Sequence, residues 1–302
     1  GLIKSEQQDD ESIMLIYEDR TELHSLNDLP FIKFRKLKPV PDINDIDIDR
    51  DVPAVIDYIP VSNNLHFKLD RDHLFDIFDI ISNKTGEKYS IHGEITSPFD
   101  YYLDLLGYEN GLISLIMAPE KSSAILDKFA DGIMDIANRM CDKQIDAIKV
   151  SSPFTGMGFI SKEHYREVIL PIEKRIITAV REKGKHAYTH TCGSIGDRLE
   201  LMSESNTSGL ECLDPPPIGN VDLEDAFRRI GDRLFIKGNI DSVNSLLYAG
   251  DQKAQDDVIK IIKTGMTKGK GFILSTACSI APKVTTERLM MLSEMVTRYG
   301  VY

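Results

Sequence analysis

The sequence predicts an α/β protein, a single (β/α)8 barrel of the TIM type, on two observations. Strand-like and helix-like segments alternate five times from residue 146 to the end of the chain, and the strand-like pieces are short, β-branched and evenly spaced. Such alternation points to parallel strands, because a chain must cross over through a helix before it can pair again in the same direction. Evenly repeated single strands favour closure into a barrel over an open sheet. With 302 residues, one barrel domain over residues 1–302 is expected, with residues 1–60 as a peripheral segment whose truncated or divergent start leaves the first barrel strand open.

The regular series begins with "IDAIKVSS" (145–152), a strand, and "SKEHYREVILPIEKRIITAVREKG" (161–184), a helix opened by Ser161 and stopped by Gly184. Pro171 inside it predicts a kink or two abutting helices. Then follow strand "KHAYTHTC", helix "IGDRLELMSES", strand "SGLECLD", helix "VDLEDAFRRIG", strand "DRLFIKGN" and helical segments within 240–268. Strand "GFILSTAC" and helix "TTERLMMLSEMVTRYG" close the chain. The first half is less regular. "KYSIHGEI" (88–95) reads as a strand between the helical "RDHLFDIFDIISNKTG" and "APEKSSAILDKFADGIMDIANRMCDK", the latter with Pro119 near its start. "DYYLDLLGYENGLISLI" predicts a short helix or two, "SIMLIYEDRTEL" a hairpin, and the acidic "PVPDINDIDIDRD" (39–51) a solvated loop.

Composition narrows the function classes. The net charge of −12 is spread along the chain, and such a surface repels phosphate backbones and anionic membranes, so neither nucleic acid nor membrane is an expected partner. No apolar run reaches the roughly 18 residues of a membrane span, and residues 1–20 lack the basic start and apolar centre of a signal peptide; a cytoplasmic location is expected. Cys141, Cys192, Cys212 and Cys278 are too scattered for a small disulfide framework, which leaves metal ligation or apolar burial.

The stretch "HAYTHTCGS" (186–194) concentrates candidate ligands. Strand alternation puts His186, Tyr188, His190 and Cys192 on one face, with Gly193 starting the turn at the C-terminal end, where β/α barrels build their sites. The same reasoning puts Phe272, Leu274, Thr276 and Cys278 on one face of the last strand, so that His190, Cys192 and Cys278 could converge at one rim. One imidazole and two thiolates suit zinc and leave one tetrahedral position free. A core cysteine is the competing reading for Cys278.

The succession "HTCG", "GLECLDPP", "DRLFIKGNID", "GFILSTACSIAP" and "RLMMLSEMVTRYG" resembles the uroporphyrinogen decarboxylase superfamily. It is similar in particular to the cobalamin-dependent methyltransferase branch, over roughly residues 88–302 and most strongly from Ser161 onward. The resemblance implies a single β/α barrel with catalytic zinc held by an H-x-C pair and a later cysteine, which match His190, Cys192 and Cys278. It implies a zinc-dependent methyltransferase that moves a methyl group between a small methylated or thiol substrate and a corrinoid, supplied by a partner corrinoid protein or as free methylcobalamin. Two other readings stay open. One is a metal-free decarboxylase, although residues 1–60 lack the arginine cluster of true decarboxylases. The other is a non-catalytic barrel with structural zinc.

Around such a centre Glu94 and Glu211 are the candidate catalytic carboxylates, either of them a displaceable fourth ligand, a loop carboxylate or a hydrogen-bond partner of the ligands. Asn239 and Asp241 in "KGNID" are candidate cofactor-binding residues or simple helix caps. "SPFTGMGF" (152–159) is a small-residue loop suited to close approach of a planar cofactor. His92 and His186 are expected to be satisfied, buried polar groups, and Cys212 to pack in the core.

Overall fold

The computed structural model describes residues 1–25, 31–35, 40–61, 65–266 and 271–300. The chain opens with an antiparallel four-stranded sheet of β1 (Leu2–Gln7), β2 (Ile13–Tyr17), β3 (Arg20–His24) and β4 (Phe31–Arg35), in that order. β2 and β3 are the hairpin expected of "SIMLIYEDRTEL", with Ile13 opposite His24. The acidic segment is not a bare solvated loop. Ile43 and Ile46 are buried, and Asp47 caps a single helical turn, α1 (Ile48–Asp51), through the amides of Asp49 and Arg50; Pro39 lies outside the described residues. The alternate isoleucines there anchor an otherwise charged stretch to the core, a signal that the acidic composition hid. β5 (Tyr58–Val61) and β6 (Leu65–Lys68) pair antiparallel, and α2 (Asp76–Thr85) follows.

The remainder is a parallel α/β array of the TIM-barrel type. Its strands are β7 (His92–Thr96), β8 (Ala147–Ser151), β9 (His186–Thr191), β10 (Gly209–Cys212), β11 (Phe235–Ile240) and β12 (Phe272–Thr276). They hydrogen-bond in chain order with β7 and β12 at the edges, so six parallel strands run side by side among the described residues and residues 1–68 contribute only antiparallel pairs. Between β7 and β8 lie α3 (Pro98–Leu106), α4 (Tyr108–Met117) and α5 (Pro119–Cys141), with prolines in the first turns of α3 and α5, where a missing N–H costs nothing. The helix expected around Pro171 is indeed divided. A turn of α-helix, α6 (Lys162–His164), passes into a π-helical turn over Tyr165–Ile169 before α7 (Leu170–Glu182), so Pro171 falls in a first turn. The later crossovers are α8 (Leu199–Met202), α9 (Leu223–Ile230) and α10 (Asp251–Met266), and α11 (Thr286–Tyr299) closes the array, capped by Thr285.

Alternation within the strands sorts two environments. Ile95, Ile148, Val150, Ala187, Leu210 and Ile236 point outward into the layer of helices and are buried there, each contributing roughly 1.5–3 kcal/mol by leaving water for the larger side chains. The opposite face carries His92, Glu94, Lys149, Tyr188, His190, Glu211 and Lys237, aligned by the register Glu94–Lys149–Tyr188 and His190–Glu211–Lys237. The inward face of these strands is therefore largely polar and charged.

Behind the strand ends, Asp100 on α3 is buried, accepts a hydrogen bond from Ser97 Oγ at 2.5 Å and faces the buried carboxyl of Glu173. Burial pushes its carboxyl from 3.8 up to about 7. Above the unfolded value the unfolded chain releases this proton while the folded chain keeps it, so stability falls from about pH 4 to about pH 7. Asp100→Asn is expected to remove up to about 4 kcal/mol of that decline, measured by urea unfolding across this range. An unaltered pH slope would show that Asp100 is ionised in the fold.

Candidate metal centre

Three side chains from two strand ends meet at the C-terminal rim. His190 is the last inward residue of β9, and its Nε2 lies 3.2 Å from Cys192 Sγ, just beyond the strand. Cys192 Sγ lies 3.6 Å from Cys278 Sγ, and the ligand atoms of the three residues all fall within 4.8 Å of one another. Cys278 arrives by a different route from the one alternation suggests. Register with Lys237 and Asn239 turns Ile273 and Ser275 inward, while Phe272 packs outward against Phe227 of α9. The bend after Thr276 brings Cys278 round to the rim.

Backbone turns complete the rim. Gly193 has φ +74, a conformation that favours glycine, and donates its N–H to Asp214 Oδ2 at 2.6 Å. A Cβ on Gly156 would stand 2.8 Å from the carbonyl of Cys192, so the loop after β8 lies against the ligand turn only because it is glycine there. Cys212 was expected in the core by alternation. It is fully buried, but its positive φ of 86 turns the strand end, and its thiol donates to Asp214 Oδ2 at 3.2 Å.

The electrostatics favour thiolate and carboxylate. Hydrogen bonds from Cys192 and then Cys212 pull the Cys278 thiol far below its usual range. The neighbouring Cys212 thiol favours a Cys192 thiolate, but donation to Cys278 and burial outweigh it and push the Cys192 thiol up to about 12. Burial would raise Glu211, but hydrogen bonds from His190 and Lys237 and the charge of Lys149 outweigh it and hold the carboxyl at about 2. Glu211 Oε2 is 2.9 Å from His190 Nδ1 and 3.5 Å from Lys149 Nζ, and Oε1 is 2.5 Å from Lys237 Nζ.

The donor set fits zinc. Two sulfurs on a tetrahedral zinc ion stand about 3.8 Å apart, close to the separation in this structure, and an imidazole whose second nitrogen meets a carboxylate is the usual supporting arrangement. Glu94 is half exposed, pairs with Lys149 at 2.9 Å, and borders an apolar cavity of about 160 Å³ lined by Phe75, Phe78, Tyr101 and Met140. Asn239 Nδ2 donates to the carbonyl of Leu213, and Asp241 Oδ1 accepts the amides of Val243 and Asn244 as a cap. His92 is satisfied between Tyr188 OH and Ser90 Oγ. His186, expected to be buried, is exposed at the opposite strand end beside Ser208, because it begins β9. Sequence reasoning missed Lys149 and Lys237; a lysine in the middle of an otherwise apolar parallel strand, as in "AIKVS" and "FIKGN", was the available signal.

A parallel α/β array with an imidazole and two thiols converging at its C-terminal rim is a β/α-barrel scaffold carrying a zinc-type donor set. The family model for uroporphyrinogen decarboxylase (URO-D) matches residues 47–299, and the chain belongs to that family. Among curated relatives, methylcobamide:CoM methyltransferase MtbA of Methanosarcina acetivorans is 26% identical over 226 residues, covering 75% of this chain and 63% of that protein. The Methanosarcina mazei MtbA is 25% identical over 73% of this chain and 61% of that protein. A uroporphyrinogen decarboxylase of Ruthia magnifica is 27% identical over 58% of this chain and 49% of its own length. The chain thus spans less than two thirds of the curated relatives just named. A solved methyltransferase from Methanosarcina mazei superposes with a TM-score of 0.72 at 20% identity, over 91% of this chain and 74% of that one, and shares the fold. No helix among the described residues is long and apolar enough to cross a membrane.

Proposed function

We propose that this chain is a cytoplasmic zinc-dependent methyltransferase that moves a methyl group between a small methylated or thiol substrate and a corrinoid. The observation that carries the reading is the convergence of His190 Nε2, Cys192 Sγ and Cys278 Sγ at the rim, and the likeness to two methylcobamide methyltransferases supports it. These three residues hold the metal. When bound, zinc supplies Lewis acidity that keeps a thiol as thiolate at neutral pH or eases the departure of a thiolate, alkoxide or phenolate.

The remaining residues bind and orient. Glu211 accepts the Nδ1 proton of His190, which fixes the tautomer that leaves Nε2 free to ligate. Glu94 holds the Lys149 ammonium, and Asn239 and Asp241 brace the end of β11 through the carbonyl of Leu213 and the amides of Val243 and Asn244. Loops that follow β8, β10 and β12 expose Met157, Phe159, Ile218 and Ile280, an apolar rim suited to a planar macrocycle carried by a corrinoid protein. The antiparallel strands β1–β4 are peripheral to this domain, whereas Ile43, Ile46, Val52 and Ile56 belong to its core.

The relatives named uroporphyrinogen decarboxylase favour a second reading, metal-free decarboxylation of a tetrapyrrole. The test is demethylation of methylcobalamin by small thiols, followed by absorbance, on chelator-treated and zinc-reloaded protein. Activity that falls about 100-fold with chelation and returns with zinc is expected. Porphyrinogen turnover unaffected by chelation, with no methyl transfer, would replace this reading by the second.

A further inference from the structure

Glu211 stands beside the centre with more bonds than orienting one imidazole requires. Carboxylate oxygens are themselves zinc ligands, so a free carboxylate next to a three-ligand site competes for the fourth position. Here neither oxygen is free. Oε2 is taken by His190 Nδ1 at 2.9 Å, with Lys149 Nζ at 3.5 Å, and Oε1 by Lys237 Nζ at 2.5 Å. Lys237 is in turn fixed by Tyr188 OH at 3.2 Å, and that hydroxyl is 3.0 Å from His92 Nδ1. His92 Nε2 meets Ser90 Oγ at 2.9 Å, and Ser90 donates to Asp146 at 3.0 Å. Every link has a consistent donor and acceptor when Lys237 donates to Tyr188, Tyr188 to His92, and His92 to Ser90. The chain is anchored at the opposite end of the barrel, where Ser90 is exposed.

Two lysine ammoniums inside the barrel are costly to desolvate unless paired, and here Glu94 and Glu211 pair them. We infer that Lys237, assisted by Lys149, is a positioning residue that holds Glu211 on His190 and away from the metal, and so keeps the fourth ligand position open for a substrate thiol. The inference rests on the metal reading above and adds to it what keeps the site a three-ligand one. Lys237 touches neither metal nor substrate; it acts through Glu211. An ammonium is required because a neutral side chain of equal length would leave Oε1 without a partner and the carboxylate free to turn.

Cobalt(II) in place of zinc gives the test, with 2-mercaptoethanol as the probe. In the parent, cobalt(II) binds the apo protein and added thiol changes the sulfur-to-cobalt charge-transfer and visible bands. In Lys237→Met, cobalt(II) is expected to bind at least as tightly, while half-saturation by thiol moves up about ten-fold or more. Lys237→Arg restores the parent response, and so does Glu211→Gln placed on Lys237→Met, because the competing carboxylate is then gone. A Lys237→Met protein with the parent's thiol response overturns the inference and leaves the metal reading intact. Loss of cobalt binding in Lys237→Met that Glu211→Gln does not repair overturns it too. A parent that takes up no cobalt(II) overturns the metal reading and the inference with it.

Discussion

Replacing Cys278 with alanine is expected to lower zinc affinity by about 100-fold or more and to remove methyl transfer while leaving the fold in place. Among the described residues Cys278 is one of three converging donors, and its thiol, drawn toward thiolate by Cys192, supplies anionic charge that a divalent ion needs. It lies on the bend after β12 and is only partly buried, so truncation removes one sulfur and little packing. Competition with a chromophoric chelator measures the affinity, and thermal unfolding of the metal-free proteins checks the fold. Parent-like affinity would move the third ligand elsewhere, with Cys212 first in line because its thiol shares Asp214 Oδ2 with the amide of Gly193, next to Cys192.

A second large effect is expected from Arg198→Met, this time on stability. Arg198 is 1% exposed, one of the largest fully buried side chains of the chain. Its guanidinium donates to the carbonyls of Thr155 and Ile160 at 2.7 and 3.1 Å and to Asp197 at 2.9 Å, and its carbon lies 5.6 Å from the centre of the Tyr165 ring. Methionine fills much of the volume but leaves two buried carbonyls and one carboxylate without their donor. Loss of one partner from such a network costs about 3–5 kcal/mol. Urea unfolding measures this, and proteolysis within residues 152–160 is expected to speed up, because Arg198 ties that rim loop to the strand layer. A change below about 1 kcal/mol would mean that water replaces the guanidinium.

The parallel half of the fold was legible because each strand is a short apolar run between a glycine or loop and an amphipathic helix, and local chemistry marks the boundaries. Ser161, Thr285 and the prolines at 119 and 171 do so here. Residues 1–68 were harder. Their strands pair antiparallel and leave Leu2, Ile3, Phe31 and Phe34 exposed, so the apolar alternation that marks a buried strand is weak.

At the site, His190 and Cys192 were readable from one strand end, since two-residue spacing places both at the rim. Cys278 was named for a reason the structure replaces. Parallel register, which depends on the neighbouring strand, decides which residues of β12 face inward, and no local pattern in "GFILSTAC" encodes it. Cys212 was hidden by a left-handed strand end that alternation cannot anticipate. The lysines were visible as residues, but their meaning required knowing that β8, β10 and β11 bring Lys149 and Lys237 to the two oxygens of Glu211.

The most direct measurement is zinc content of the purified parent chain, determined by plasma emission spectroscopy against protein concentration and set beside Cys192→Ala. About one zinc per chain in the parent, and almost none in the variant, is the result this account predicts. A parent without metal after growth in added zinc would contradict it, and the rim of His190, Cys192 and Cys278 would then be a thiol cluster in a metal-free enzyme.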